Sequence, residues 1–67
     1  MSFVARFIVH CQDDGTFLSV RNGQHHYTYC FAEALRFSRV DLAIDHAKSI
    51  DETLERVRVI CLYEPVD

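Results

Sequence analysis

Four histidines and three cysteines hold most of the reactive side chains in this chain of 67 residues. His10 and Cys11 are adjacent, and His25, His26 and Cys30 lie together further on. Such residues could hold zinc, but zinc needs four convergent ligands, usually supplied as spaced pairs. No C-x-x-C is present, and these candidates belong to different elements. A Cys–His nucleophile would need a third group to orient the histidine and donors to hold an oxyanion. The sequence offers neither, and a chain this short has little room for a cavity of several hundred Å³. The expectation is therefore no catalytic residue, no metal and no cofactor. His25 and His26 read as part of a polar loop. The cysteines read as small buried apolar groups in a reducing compartment, since an odd number cannot all pair within one chain.

The elements that would position any site follow from periodicity. Residues 3–11, FVARFIVHC, alternate and are rich in β-branched and aromatic types, which marks a strand. Gln12-Asp13-Asp14-Gly15 is a turn, residues 16–21 are a second strand, and Asn22-Gly23 is a strong hairpin signal. Residues 24–30 read either as a short strand near 27–29 or as an extended loop. Residues 31–37, FAEALRF, read as a short helix. Ser38 with Asp41 forms a capping-box-like start for the main helix, from 39 to about 49 or 50. Val40, Ala43, Ile44, Ala47 and Ile50 make its apolar stripe, and His46 sits at the stripe's edge. Residues 51–56 are a polar connector, and residues 57–63, VRVICLY, form the last strand, with Pro65 expected to stop it.

The predicted architecture is a single α+β domain in the order β-β-α-β. A small antiparallel sheet of three or four strands carries the main helix and the short preceding helix on one face. The first strand lies between the second and the last. The helices are expected to cover Phe3, Phe7, Val9, Val57, Val59, Cys61 and Tyr63. The other face would then show Val4, Arg6, Ile8 and His10 beside Arg58, Ile60 and Leu62, with nothing left to cover it. A mixed aliphatic and basic face of this kind fits a protein interface, and an exposed last strand could pair with another chain.

Charge narrows the function. Lys and Arg number 7 against 10 Asp and Glu, for a net charge of −3. That balance argues against broad binding to phosphate backbones. Asp41, Asp45, Asp51 and Glu52 give the main helix and its connector an acidic side that could steer it toward a basic partner. Tyr27, Tyr29 and Phe31 form an aromatic group expected mainly to pack the core, with a contact loop as the alternative. No apolar run approaches the roughly 20 residues needed to cross a bilayer. The start, MSFVARFIVH, has no basic, apolar and small-residue sequence of a secretory leader, so a cytoplasmic location is expected.

Gly15 to Leu18 (G-x-F-L), Ala34 to Ser38 (A-L-R-F-S), the spaced Ala43 and Ala47, and an apolar strand ending in Glu64 together resemble small phage and prophage accessory proteins. Phe17 stands where such proteins commonly have Tyr. The resemblance implies a compact α+β fold and a role in binding and inhibiting a host protein complex, as anti-CRISPR proteins do, and it transfers no catalytic residue. Arg6, Ile8, Arg58, Ile60 and Leu62 form the expected apolar contact. Asp41, Asp45, Asp51 and Glu52 form the acidic one, with Tyr27 and Tyr29 as anchors. A homodimer through the open face is the competing use of the same patch. A small nucleic-acid-binding module is the alternative function, disfavoured because the aromatics of the first and last strands should face the helices.

Overall fold

The computed structural model describes residues 2–66. The alternating N-terminal segment forms β1 (Ser2–Cys11), followed by β2 (Thr16–Arg21) and β3 (Gln24–Thr28). A 3-10 turn (Phe31–Glu33), the helix α1 (Val40–Ile50) and β4 (Val57–Val66) complete the chain. Gly15 (φ 74°) closes the first hairpin, and Asn22 (φ 54°) with Gly23 (φ 76°) closes the second, the left-handed pair that a two-residue hairpin loop requires.

The four strands form one antiparallel sheet in the order β3-β2-β1-β4. The residues left open between strand and loop are a full strand, so the sheet gains a member outside β2 and its order differs from the three-stranded one expected. The pairs of β3 with β2 run from Phe17↔Thr28 through Leu18↔Tyr27 and Ser19↔His26 to Arg21↔Gln24. β1 and β4 pair along their whole lengths, from Ser2↔Val66 to Cys11↔Val57.

α1 lies on one face. Its Ala43 and Ala47 are fully buried and join Val9, Cys11, Leu18, Phe37 and Val57 in the core. Small side chains let the helix sit close to the strands, so removal of apolar surface, and not helix propensity, holds it there. Ser38 does not cap the helix. The N-cap is Arg39, which makes no side-chain cap bond; its guanidinium grips Asp41 instead at 2.7 and 3.0 Å.

The short preceding helix is not formed. After the 3-10 turn the chain runs extended, and its backbone bonds to the sheet: Leu35 N–H donates to Leu18 C=O (2.9 Å), and Phe7 and Phe37 exchange both of their bonds (2.9 and 2.8 Å). β1 and β2 pair directly only at His10↔Phe17 and Cys11↔Thr16, and residues 35–37 bond to both strands beyond that point. Strand bonds to two neighbours satisfy more backbone than a two-turn helix with frayed ends, so tertiary pairing overrides local propensity.

Pro65 does not end β4. Because Phe7 directs its N–H and C=O toward Phe37, the pair Phe7↔Cys61 is not hydrogen-bonded, and Cys61 directs its own backbone groups outward. By alternation the odd-numbered residues of β4 all do so, and Pro65 is one of them. Its missing donor falls on the free edge and the β1–β4 ladder loses nothing.

Candidate functional site

The connecting segment makes a partial lid over the face opposite α1. Ser19, on that face by register, donates its hydroxyl to Glu33 C=O at 2.6 Å. Thr28 Oγ1 donates to Glu33 Oε2 at 3.0 Å. Phe31 packs edge-on against Phe17, with the Arg36 guanidinium 5.1 Å above its ring. Arg36 also reaches Glu64 at 3.4 Å, and Arg6 approaches the same carboxylate at 3.8 Å. Under this strap Ile8 is 0% exposed. The expectation that nothing covers this face is therefore corrected over its inner half, and Ile8 is a core residue, not a contact residue.

On this same face the edge strand β4 and the far end of β1 stay open. Ile60 is 38% exposed, Arg58 is exposed, and Leu62, Arg6 and Val4 are half-buried. On the α1 side the helix stops short of the sheet's end: Phe3 is 61% and Tyr63 70% exposed, and Cys61 is exposed too. These three were expected beneath the helices. An eleven-residue helix spans only about 16 Å, roughly half the reach of the ten-residue β1 and β4, and it sits over the Val9–Val57 end. The outer end of the β1–β4 ribbon thus presents apolar side chains above and below, next to a strand edge with free donors and acceptors.

Half of the expected acidic contact is engaged within the chain. Asp41 is held by Arg39. Asp51 turns its carboxylate onto its own connector, accepting from Thr53 N–H and Oγ1 and from the Glu55 and Arg56 N–H groups. The Arg56 N–H is the largest influence that pulls the Asp51 pKa down. Those bonds steady a turn in which Leu54 takes φ 56°, a conformation uncommon for a non-glycine residue. Asp45 and Glu52 remain exposed. Tyr27 and Tyr29 are exposed as well, Tyr29 at 77%, so the aromatic group packs the core less than expected.

Contrary to the expectation from chain length, a cleft of about 410 Å³ opens where Ile50, Tyr27, Cys11 and Val57 meet the turns carrying Asp13, Asp14 and Asp51. Its polar groups are engaged with one another: Asp14 accepts from Thr16 N–H and Oγ1, which lowers its pKa, and Asp13 pairs with Arg56 at 3.7 Å. Burial raises the Cys11 thiol above its ordinary value and keeps it protonated. The His10 ring lies tilted against Phe17 (4.8 Å), and the His46 ring lies tilted against Phe37 (4.8 Å) and near His25 (5.3 Å). Among the described residues no three groups able to bind a metal converge, and no helix is long and apolar enough to cross a membrane.

Comparison with protein families, curated proteins and solved structures returned no match. Any functional reading therefore stands on the geometry above and on the chain's own residues. Sequence reasoning missed Phe3, Cys61 and Tyr63 as surface groups. The signal available was length: ten extended residues outrun the helix that must cover them.

Proposed function

We infer that this chain is a non-catalytic binding protein that docks onto a host protein or protein complex and blocks it sterically. One observation carries the reading: on one face the strap leaves Arg58, Ile60 and Leu62 of the edge strand β4 uncovered or half-covered, and on the other α1 stops short of the ribbon's end, leaving Phe3, Cys61 and Tyr63 exposed. A patch of aromatic and aliphatic groups with arginines at its rim has the make-up of an interface centre. The narrower proposal, a phage-type inhibitor of a host defence or nucleic-acid-handling complex working in the host cytoplasm, is supported by the motif resemblance and by the exposed carboxylates of Asp45 and Glu52, which suit a basic target.

The test is capture from bacterial lysate with the tagged chain and with Ile60→Asp, followed by titration of the captured complex's activity. Activity that falls stoichiometrically with wild type and survives the variant supports docking through this patch. Equal inhibition by both proteins removes it. The nucleic-acid module is the second reading, and the strap gives it one favourable feature: Phe31 is exposed close to Arg36 on the open face. Binding to random single-stranded DNA or RNA that weakens steeply with salt would favour it.

A further inference from the structure

We propose that the free edge of β4 pairs with the β4 edge of a second copy, antiparallel across a two-fold axis at Cys61, so that two four-stranded sheets join into one. The inference rests on the reading of the outer ribbon as a contact surface and names its first occupant.

The backbone supplies the first argument. Val59, Cys61 and Tyr63 turn their N–H and C=O groups away from β1, and among the described residues no protein group bonds to them. A two-fold axis through Cys61 sets Val59 opposite Tyr63, Cys61 opposite Cys61, and Tyr63 opposite Val59. Each of these pairs can exchange two N–H···O bonds. Pro65 lies just past them, so the missing donor falls outside the paired run.

The side chains select this register. On the strap face it brings Ile60 against Leu62 of the second copy, and Arg58 against its Glu64, twice over by symmetry. Arg58 is exposed and makes no ion pair among the described residues. Glu64, half-buried, receives its present arginines only at 3.4 and 3.8 Å and keeps acceptor capacity. On the α1 face Tyr63 would cover Val59 of the second copy. Sliding the strands by one step either way sets Arg58 against Leu62 or Val66 and leaves the charge facing an aliphatic group. Opposite charges and apolar pairs directly across a ladder are favourable, and like charges are not. An isologous edge needs this self-complementarity, which an arbitrary partner strand does not.

The experiment is sedimentation over a concentration series, for wild type and Arg58→Glu, with diamide oxidation in a Cys30→Ser background. Arg58 lies on the surface without partners, so its reversal leaves the monomer folded. Wild type is expected to show a monomer–dimer equilibrium, weakened about tenfold in Arg58→Glu, where two acidic pairs now face each other. Cys61 residues directly opposite lie about 5.5 Å apart between Cα atoms, inside the roughly 4.4–6.8 Å that a disulfide accepts. The dimer is therefore expected to cross-link through Cys61. A chain that stays monomeric throughout, a dimer that Arg58→Glu leaves unchanged, or a dimer that does not cross-link at Cys61 each overturns the proposal. A monomeric chain that still captures its target refutes this pairing alone. A dimer that captures nothing refutes the docking function alone.

Discussion

A proline placed in β4 should be tolerated or ruinous according to the parity of its position. The Ile8↔Ile60 pair exchanges backbone bonds between β1 and β4, because Phe7 and the odd residues of β1 turn to the other side. Ile60→Pro removes the N–H that satisfies Ile8 C=O. Ile8 is 0% exposed, so water does not replace the lost donor. Leaving a buried carbonyl unpaired costs about 1–3 kcal/mol. The ring's crowding against β1 and the lost Ile60 contacts bring the sum to about 3 kcal/mol or more. Cys61→Pro removes an outward N–H that bonds to nothing within the chain, as Pro65 already does, and costs less than about 1 kcal/mol, with a narrower unfolded ensemble as partial offset. In a domain of this size about 1 kcal/mol moves the melting midpoint roughly 4–8 °C, so Ile60→Pro should melt some 12–24 °C below wild type, if it folds at all. Cys61→Pro should stay within a few degrees when measured in dilute protein. Melts followed by far-UV circular dichroism read the difference directly. Equal losses from both substitutions would mean that β4 is not the edge strand described, and the outward geometry on which the self-pairing depends would go with it.

Four further outcomes follow from particular contacts. Ile8→Ala should cost about 2–5 kcal/mol in urea denaturation, as a sealed core residue does, whereas Ile60→Ala should cost less than about 1.5 kcal/mol and act instead on association. Ser19→Ala removes the 2.6 Å bond to Glu33 C=O and should cost about 1 kcal/mol while raising hydrogen exchange at Leu35, whose N–H bonds to Leu18. At neutral pH a thiol reagent should modify Cys30 and Cys61 quickly and Cys11 only on unfolding, since Cys11 is buried and protonated. Three equally fast thiols would refute that placement.

Much of the fold is written in alternation and spacing. The β1 and β2 strands, their hairpin and the Ala43–Ala47 stripe are legible because one period dominates each segment. FAEALRF is different, since it carries two signals. Phe31, Ala34 and Leu35 have helical spacing, while Leu35 and Phe37 alternate with Ala34 and Arg36. The backbone bonds to Leu18 and Phe7 select the second pattern, and they exist only once β1 and β2 are placed. That choice hides Ile8 and roofs half of the face opposite α1. Pro65 misleads for a similar reason: whether it stops a strand depends on which way its nitrogen points, a property of the neighbouring pairs. The candidate site was legible in part, through Arg58, Ile60 and Leu62. Its other half, Phe3, Cys61 and Tyr63, depends on how far the helix reaches.

The acid limb of stability tests the polar connector independently of any docking. Asp51 and Asp14 both have pKa values held below those of ordinary carboxylates, Asp51 chiefly by the Arg56 N–H and Asp14 chiefly by the Thr16 hydroxyl. In the unfolded chain these bonds are gone and the groups return to about 3.9. The unfolded state therefore binds protons first as pH falls. The stabilisation is fully present above the unfolded value and is lost as pH drops through the folded values. Urea midpoints should be flat from pH 7 to about 5 and then decline. Asp51→Asn should lower the neutral plateau, because one amide oxygen cannot serve the donors that two carboxylate oxygens serve now, and should shrink the decline, because one titrating group has been removed. A variant with the wild-type plateau and the wild-type decline would show that Asp51 does not tie the α1–β4 turn. The buried Val57 that follows this turn would then need another anchor to start β4 in register with Cys11.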